Sequence, residues 1–321
     1  MTFPLMPGYD HINLVPGLDP VAAVKDRELG DSIHRYPKLL PAGSPDFGHA
    51  VQTGTEWRIG CTGAADPAGA RYDLASNLRR RANGLEGEPG LAADLLAAAD
   101  RLDPEEGEQL PKDEWEIGDR RYRVIRVEKY TLIGDGVMEP PRPTDASPAC
   151  GSGSALRGFL LDPRAPAGQW EAQLRLNLVG YMPVLGPVPD VIRAEARHAV
   201  QSHPAVVLLP PTFTMVEIKD GSWEPITGAD DPVRARDHLA GYFAELLPRL
   251  REFQGAPPTA AELADWAEAA EQIGAATGHD FTAIGRRFRT VRVSRMLRLG
   301  RDGPEGPRPS DQERYDLPES C

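Results

Sequence analysis

The sequence predicts an α+β protein: a tandem duplication of an α-β-β-α-α-β unit, pseudo-two-fold symmetric, with a mainly antiparallel sheet packed by helices. Three observations carry this reading. Arg120-Arg121-Tyr122-Arg123-Val124-Ile125-Arg126-Val127 recurs as Arg286-Arg287-Phe288-Arg289-Thr290-Val291-Arg292-Val293, 166 residues later. The loop that follows, Glu139-Pro140-Pro141-Arg142-Pro143-Thr144-Asp145, recurs as Glu305-Gly306-Pro307-Arg308-Pro309-Ser310-Asp311, so residues 120–145 match their counterparts at 11 of 26 positions without a gap. Upstream, Trp57 faces Trp223 and Phe47 faces Phe213 at an offset of 166, Asp66-Pro67 faces Asp231-Pro232 at 165, and His34-Arg35-Tyr36-Pro37 faces Gln201-Ser202-His203-Pro204 at 167. Slips of one residue are what short loop insertions leave, and a repeat of this length sets the architecture before any motif does.

Each copy opens with a helix, from Asp19-Pro20 to about Ser32 and from Pro189-Asp190 to about Gln201. A hairpin follows. In the second copy Thr212 to Lys219 and Ser222 to Ile226 flank Asp220-Gly221, a pair suited to the positive φ angles of a type I′ turn, and Gly54 takes that place before Trp57. The second helix starts at Asp66-Pro67 and at Asp231-Pro232. There the carboxylate accepts from free first-turn amides, and proline at the first helical position forfeits no hydrogen bond. Ala70, Leu74 and Leu78 share one helix face, as do Ala235, Leu239, Phe243 and Leu246, the period of a packed helix. A third helix spans about 91–102 and 260–274, the latter opened by a capping box from Thr259 to Glu262. The Arg-rich strand, 120–133 and 286–299, completes each copy. Alternation puts Tyr122, Val124, Arg126 and Tyr130 on one face and Arg121, Arg123, Ile125 and Val127 on the other. Two more strands, 157–161 and 171–179, are expected ahead of the second copy.

The first copy is thus assigned to 1–150, its matched part running about 10–147, with a linker and the extra strands in 151–179 and the second copy in 180–321. Cys150-Gly151-Ser152-Gly153-Ser154 reads as a flexible joint. The copies form either two packed lobes or one continuous sheet.

With 40% hydrophobic residues in 321, the chain buries a sizeable core, and its 32 glycines and 32 prolines imply many turns. A net charge of −12 argues against general nucleic-acid or membrane-surface binding, which needs a positive footprint. Lysine occurs only at Lys25, Lys38, Lys112, Lys129 and Lys219, a bias that with abundant Arg, Ala, Gly and Pro suggests a GC-rich genome. Cys61, Cys150 and Cys321 give neither a disulfide framework nor a CxxC metal pair, which fits a reducing cytoplasm. No apolar run approaches the ~20 residues that span a bilayer, and Met1 to Pro7 lacks the basic and apolar regions of a signal peptide.

The stretch Tyr122-Arg123-Val124-Ile125-Arg126-Val127, the loop from Gly134 through Glu139 to Asp145, and Leu209-Pro210-Pro211-Thr212-Phe213-Thr214 resemble an actinobacterial family, common in streptomycetes, described only as a domain of unknown function. The resemblance covers nearly the whole chain. It implies an actinobacterial cytoplasmic protein and brings no activity or site residues.

The arginine strands are the first candidate site. Arg121, Arg123, Arg126, Arg287, Arg289 and Arg292, with Arg142 and Arg308 of the proline loops, present forks that suit carboxylate or phosphate. Two such strands lining one groove would bind an anionic ligand. The plainer reading is a solvated strand edge whose arginines pair with the chain's own acids. The proline loops should be extended and polyproline-like, with Glu139, Arg142 and Asp145, and Glu305, Arg308 and Asp311, forming either an internal pair or a rim for a protein partner. Trp57 and Trp223 are expected in the core.

Reaction motifs are scarce. His198 and His203 are five apart and do not stack on one helical face, and His11, His34, His49, His238 and His279 are scattered. Gly151-Ser152-Gly153-Ser154-Ala155 is not a nucleophile elbow, and no phosphate-binding or dinucleotide fingerprint occurs. Cys61 reads as a buried, inert thiol. The first expectation is therefore a non-catalytic binding protein without cofactor or metal, the second a phosphate or nucleic-acid binder through the arginine strands, and the third an enzyme with its site between the copies.

Overall fold

A computed structural model describes residues 8–85, 87–146, 156–182 and 188–312; the expected joint at Cys150 to Ser154 lies outside them. The elements are β1 (Asn13–Leu14), α1 (Pro20–Arg35), β2 (Lys38–Pro41), β3 (Asp46–Thr53), β4 (Glu56–Ala64), α2 (Pro67–Asn83), α3 (Pro89–Leu102), β5 (Glu114–Ile117), β6 (Arg120–Gly134) and β7 (Val137–Met138). They continue with β8 (Pro166–Ala167), α4 (Gln169–Val179), α5 (Asp190–Ser202), β9 (Ala205–Lys219), β10 (Ser222–Ala229), α6 (Pro232–Gly241), α7 (Leu247–Phe253), α8 (Ala260–Ala275), β11 (Asp280–Ala283), β12 (Arg286–Gly300), β13 (Gly303–Pro304) and α9 (Pro309–Gln312).

Local chemistry sets the element starts. Asp19 accepts from the amides of Val21 and Ala22, Asp66 from that of Gly69 at 2.7 Å, and Asp231 from that of Arg234 at 2.8 Å, each before a first-turn proline. Thr259 and Glu262 form the expected capping box. Asp220 and Gly221, at φ 49° and 78°, make the tight turn between β9 and β10.

The α+β architecture is a mainly antiparallel, curled sheet packed by helices. Its strands run β10-β9-β12-β6-β3-β4, with β11 and β13 on β12 and β2, β5 and β7 on β6. β1 and β8 pair in parallel as a separate two-stranded sheet, while this larger one thus takes strands from both halves of the described chain. The two Arg-rich strands are its middle, joined through Ser294↔Tyr130, Arg295↔Lys129 and Met296↔Glu128. They are not edges, and both faces are covered. Leu74, Leu78, Leu95 and Leu102 of α2 and α3 pack on Tyr122 and Trp115. Leu239, Phe243, Ala269 and Ile273 pack on Phe213 and Phe288. On the other face Trp57, Ile59, Ile125, Val127, Val207 and Leu297 form one cluster. Leu29, Leu174 and Leu178 of α1 and α4 cover Tyr130 and Met296.

Four local expectations need correction. Residues 171–179 belong to helix α4: the alternating leucines mimic a strand, but Leu174 and Leu178 also fall one helical turn apart, in a segment free of β-branched residues until Val179. Its start is capped from a distance, Asp26 of α1 accepting from the amides of Glu171 at 2.9 Å and Trp170 at 3.4 Å. Asp26→Ala should lower stability by about 1 kcal/mol, read by urea denaturation. Residues 157–161 form only an isolated bridge, Arg58↔Leu160, because Gly158 at φ 79° turns the backbone away from a ladder. Leu246 leaves the buried face and is 49% exposed, since Tyr242–Leu246 winds as a π-helical turn that shifts the register of the apolar stripe. The proline loops are not extended throughout: Pro143–Ala146 and Pro309–Gln312 close into short helical turns. Among the described residues, no helix is long and apolar enough to cross a membrane.

Candidate functional site

The charges on the two central strands are met mostly from within the chain. Arg123 lies 2.5 Å from both Glu114 and Asp302 and donates to the Pro304 carbonyl at 3.1 Å. Arg121 shares both acids, at 2.5 and 2.8 Å. Both guanidiniums stand over Trp57, 5.3 and 5.7 Å from its centroid. At the matched position Arg289 holds Asp280 at 2.5 Å, donates to the Met138 carbonyl at 3.2 Å and stands 5.6 Å over Trp223. Together Arg121 and Arg123 hold the Asp302 carboxyl well below the usual range through their hydrogen bonds.

The proline loops cross over. Loop 305–311 serves β6: Arg126 donates from its backbone amide to the Glu305 carbonyl at 3.0 Å, and its Nε to Asp311 at 2.8 Å. Loop 139–145 serves β12: the Arg292 amide donates to the Glu139 carbonyl at 2.9 Å, and its Nε to Asp145 at 2.8 Å. Inside each loop an arginine closes on a glutamate, Arg142 on Glu139 and Arg308 on Glu305, both at 2.7 Å. Thr144 and Ser310 pin the loops to Glu28 of α1 and Glu195 of α5, at 2.6 and 2.5 Å.

The two clusters differ at one matched position. Glu128, paired with Arg126 and 3.2 Å from Arg308, stands where the other cluster has Ser294. Arg126 and Arg308 thus face three carboxylates, Glu128, Glu305 and Asp311, whereas Arg292 and Arg142 face two, Glu139 and Asp145. Arg298, matched by Leu132 in the first part of the chain, brings a compensating charge. It donates to the carbonyls of Leu178, Val179 and Tyr181 at 3.0, 2.8 and 2.7 Å, where a cation also suits the C-terminal end of helix α4.

Arg295 is buried without a carboxylate partner among the described residues. It is 4% exposed, and its Nε donates to the Pro210 carbonyl at 2.8 Å. Neither Nη has a hydrogen-bond partner among the described residues, and no carboxylate lies within the 4.0 Å of an ion pair. Its matched residue Lys129 is neutralised by Asp46 at 2.5 Å. Thr212, 166 residues after Asp46, stands where that carboxylate would be. Burial pushes the Arg295 guanidinium down from its usual range, against the attraction of Asp230 and Asp46. The side chain lines a pocket of about 480 Å³ between the edge strands β4 and β10, with Asp46, Cys61, Thr62, Arg157, Thr212, Thr214 and Asp230 around it.

Two other places have catalytic residue types. Cys61 Sγ lies 3.2 Å from His49 Nδ1 and 3.7 Å from Asp73. Burial and the Asp73 carboxylate push the thiol up to about 12, while burial, helped by Arg157 and Arg80, pulls His49 down to about 4. A nucleophilic thiolate–imidazolium pair needs both shifts reversed. A larger cleft of about 980 Å³ lies beside the turn between β12 and β13, with Arg123, Glu114, Asp302 and His203 in its wall. There the acids are held by arginines, Ser202 donates to the His198 carbonyl at 2.8 Å, and burial lowers His203. Among the described residues no group of three or more His, Cys, Asp or Glu is placed to hold a metal ion.

A model of a family of unknown function, DUF5954, matches residues 19–314. The chain belongs to that family. No curated protein matches this DUF5954 chain, and neither does any solved structure.

Of the eight arginines singled out from the DUF5954 sequence, Arg121, Arg123, Arg126, Arg142, Arg289, Arg292 and Arg308 each have a carboxylate at 2.5–2.8 Å. An external anion at these seven would have to displace an internal one. Arg287 is exposed, with no ion pair among the described residues. Arg295, on the same strand as Arg287, Arg289 and Arg292, was not among these eight, and neither Asp230 nor Thr212 was a candidate site residue. Their signal is a mismatch between matched positions, Asp46 with Lys129 against Thr212 with Arg295, which carries meaning only once strand pairing brings each acid beside its base.

Proposed function

We propose that this DUF5954 protein is a non-catalytic binder of a small anion, held in the pocket between β4 and β10. The reading includes a duplicated origin: the ion pairs, carbonyl contacts and tryptophans that recur at an offset of 166 support it, as does the exchange of the two proline loops. It also includes a cytoplasmic, actinobacterial setting, supported by the scarcity of lysine and the odd, sparse cysteines.

One observation carries the ligand. A buried guanidinium without a counter-ion costs several kcal/mol, yet Arg295 keeps its charge where the matched Lys129 has an acid beside it. Arg295 lines the pocket and its Nη nitrogens have no hydrogen-bond partner among the described residues, so a ligand carboxylate or phosphate would complete the pairing that Asp46 provides for Lys129.

Calorimetry at low salt with acetate, inorganic phosphate and L-glutamate tests this. At least one probe should bind, more weakly as salt rises, and at least tenfold more weakly to Arg295→Met. Thr212→Asp, which restores the internal carboxylate, should abolish binding and raise the melting temperature. The reading is overturned by absence of binding for all three probes, or by a Thr212→Asp protein that binds like the native one.

A further inference from the structure

We infer that the ligand of this pocket is an amino-acid zwitterion, its carboxylate on Arg295 and its ammonium on Asp230. This rests on the anion-binding reading above and adds the second charge.

The charges around the pocket are not all of one sign. Asp46 is occupied by Lys129 at 2.5 Å. Asp230 lines the same pocket, half-buried, and makes no hydrogen bond or ion pair among the described residues. Of the groups attracting Arg295 it is the strongest, yet the two are not within the 4.0 Å of an ion pair. An unpaired acid and an unpaired base thus share one enclosure with space between them. A dianion such as phosphate would gain from Arg295 but be repelled by Asp230, whereas a molecule carrying both signs would satisfy the two at once.

The walls suit a ligand of that size. β4 and β10 are the two ends of the sheet, and residues 158–161 pair with β4 only at Trp57 to Ile59, short of the Gly60 to Gly63 stretch that lines the pocket. Gly63 leaves open space where a side chain would stand. A volume of about 480 Å³ falls in the range of small-molecule sites. The exposed guanidinium of Arg157 stands at the rim, where it favours an acidic side chain over a basic one.

The test compares L-glutamate, N-acetyl-L-glutamate, L-lysine and inorganic phosphate by calorimetry with native protein, Asp230→Asn and Arg295→Met. L-Glutamate should bind best, and acetylation, which removes the ammonium, should weaken it at least tenfold. Asp230→Asn should weaken L-glutamate to the level of the acetylated probe and leave that probe unchanged. If acetylated glutamate or phosphate binds native protein as tightly as L-glutamate while Arg295→Met still abolishes binding, the zwitterion inference is wrong and the anion site stands. If no probe depends on Arg295, the site itself is wrong. Because Asp230 is half-buried and makes no hydrogen bond or ion pair among the described residues, its variant should still unfold cooperatively, so a loss of binding in folded protein reads on the ligand.

Discussion

Arg126→Ala is expected to lower the unfolding free energy by about 3–5 kcal/mol, the range for removing one partner of a buried ion pair. Arg126 is 6% exposed and joins Glu128 on its own strand to Asp311 of the distant loop. Without it, two carboxylates whose side chains are each 3% exposed lose their nearest cation. The Arg308 guanidinium, 3.2 Å from Glu128, compensates only in part. Urea denaturation at pH 7 checks the magnitude; a loss under about 1 kcal/mol would mean that water reaches these groups as it does a surface pair. Exchanging Arg126, Glu128 and Asp311 together for apolar residues of similar volume should recover most of the loss, because the cost lies in the stranded charges. Arg292→Ala should cost less, since Ser294 replaces Glu128 in that cluster and only Asp145 is stranded at short range.

Between pH 6.5 and 4, stability should fall by about 3 kcal/mol on account of His49. Its imidazole is pulled from 6.5 down to about 4, chiefly by burial and further by Arg157 and Arg80. In this window the unfolded chain binds a proton that the folded chain refuses. The contribution is fully present above pH 6.5 and is lost as the pH falls toward 4. His203 and His279 are shifted the same way, largely by burial, so the native slope contains all three. Denaturation curves at several pH values for native protein and His49→Leu isolate the His49 part; parallel curves would show that the imidazole is not buried in neutral form.

Much of the local structure was legible in the letters. Asp-Pro pairs marked the starts of α1, α2 and α6, Thr259 and Glu262 opened α8, and Asp220-Gly221 placed the β9–β10 turn. These signals are complete within four or five residues, so no tertiary contact was needed to read them. Errors arose where a distant group decided the outcome. Helix α4 is capped by Asp26, more than 140 residues earlier, and its alternating leucines gave the opposite local signal.

The sequence alone determined which side chains are chemically alike: the arginine pattern, the glutamate–arginine–aspartate spacing of the proline loops, and the tryptophan before each. Only the tertiary structure decided whether those arginines are free. Asp302 reaches Arg121 and Arg123 from about 180 residues away, and Asp311 and Asp145 cross to opposite strands. A cation's availability depends on the distance to its nearest carboxylate, and chain folding sets that distance without regard to separation along the sequence. By that measure seven conspicuous arginines became internal fastenings, and Arg295, of the same strand but not among the eight, became a buried cation that lines a pocket without an ion pair among the described residues.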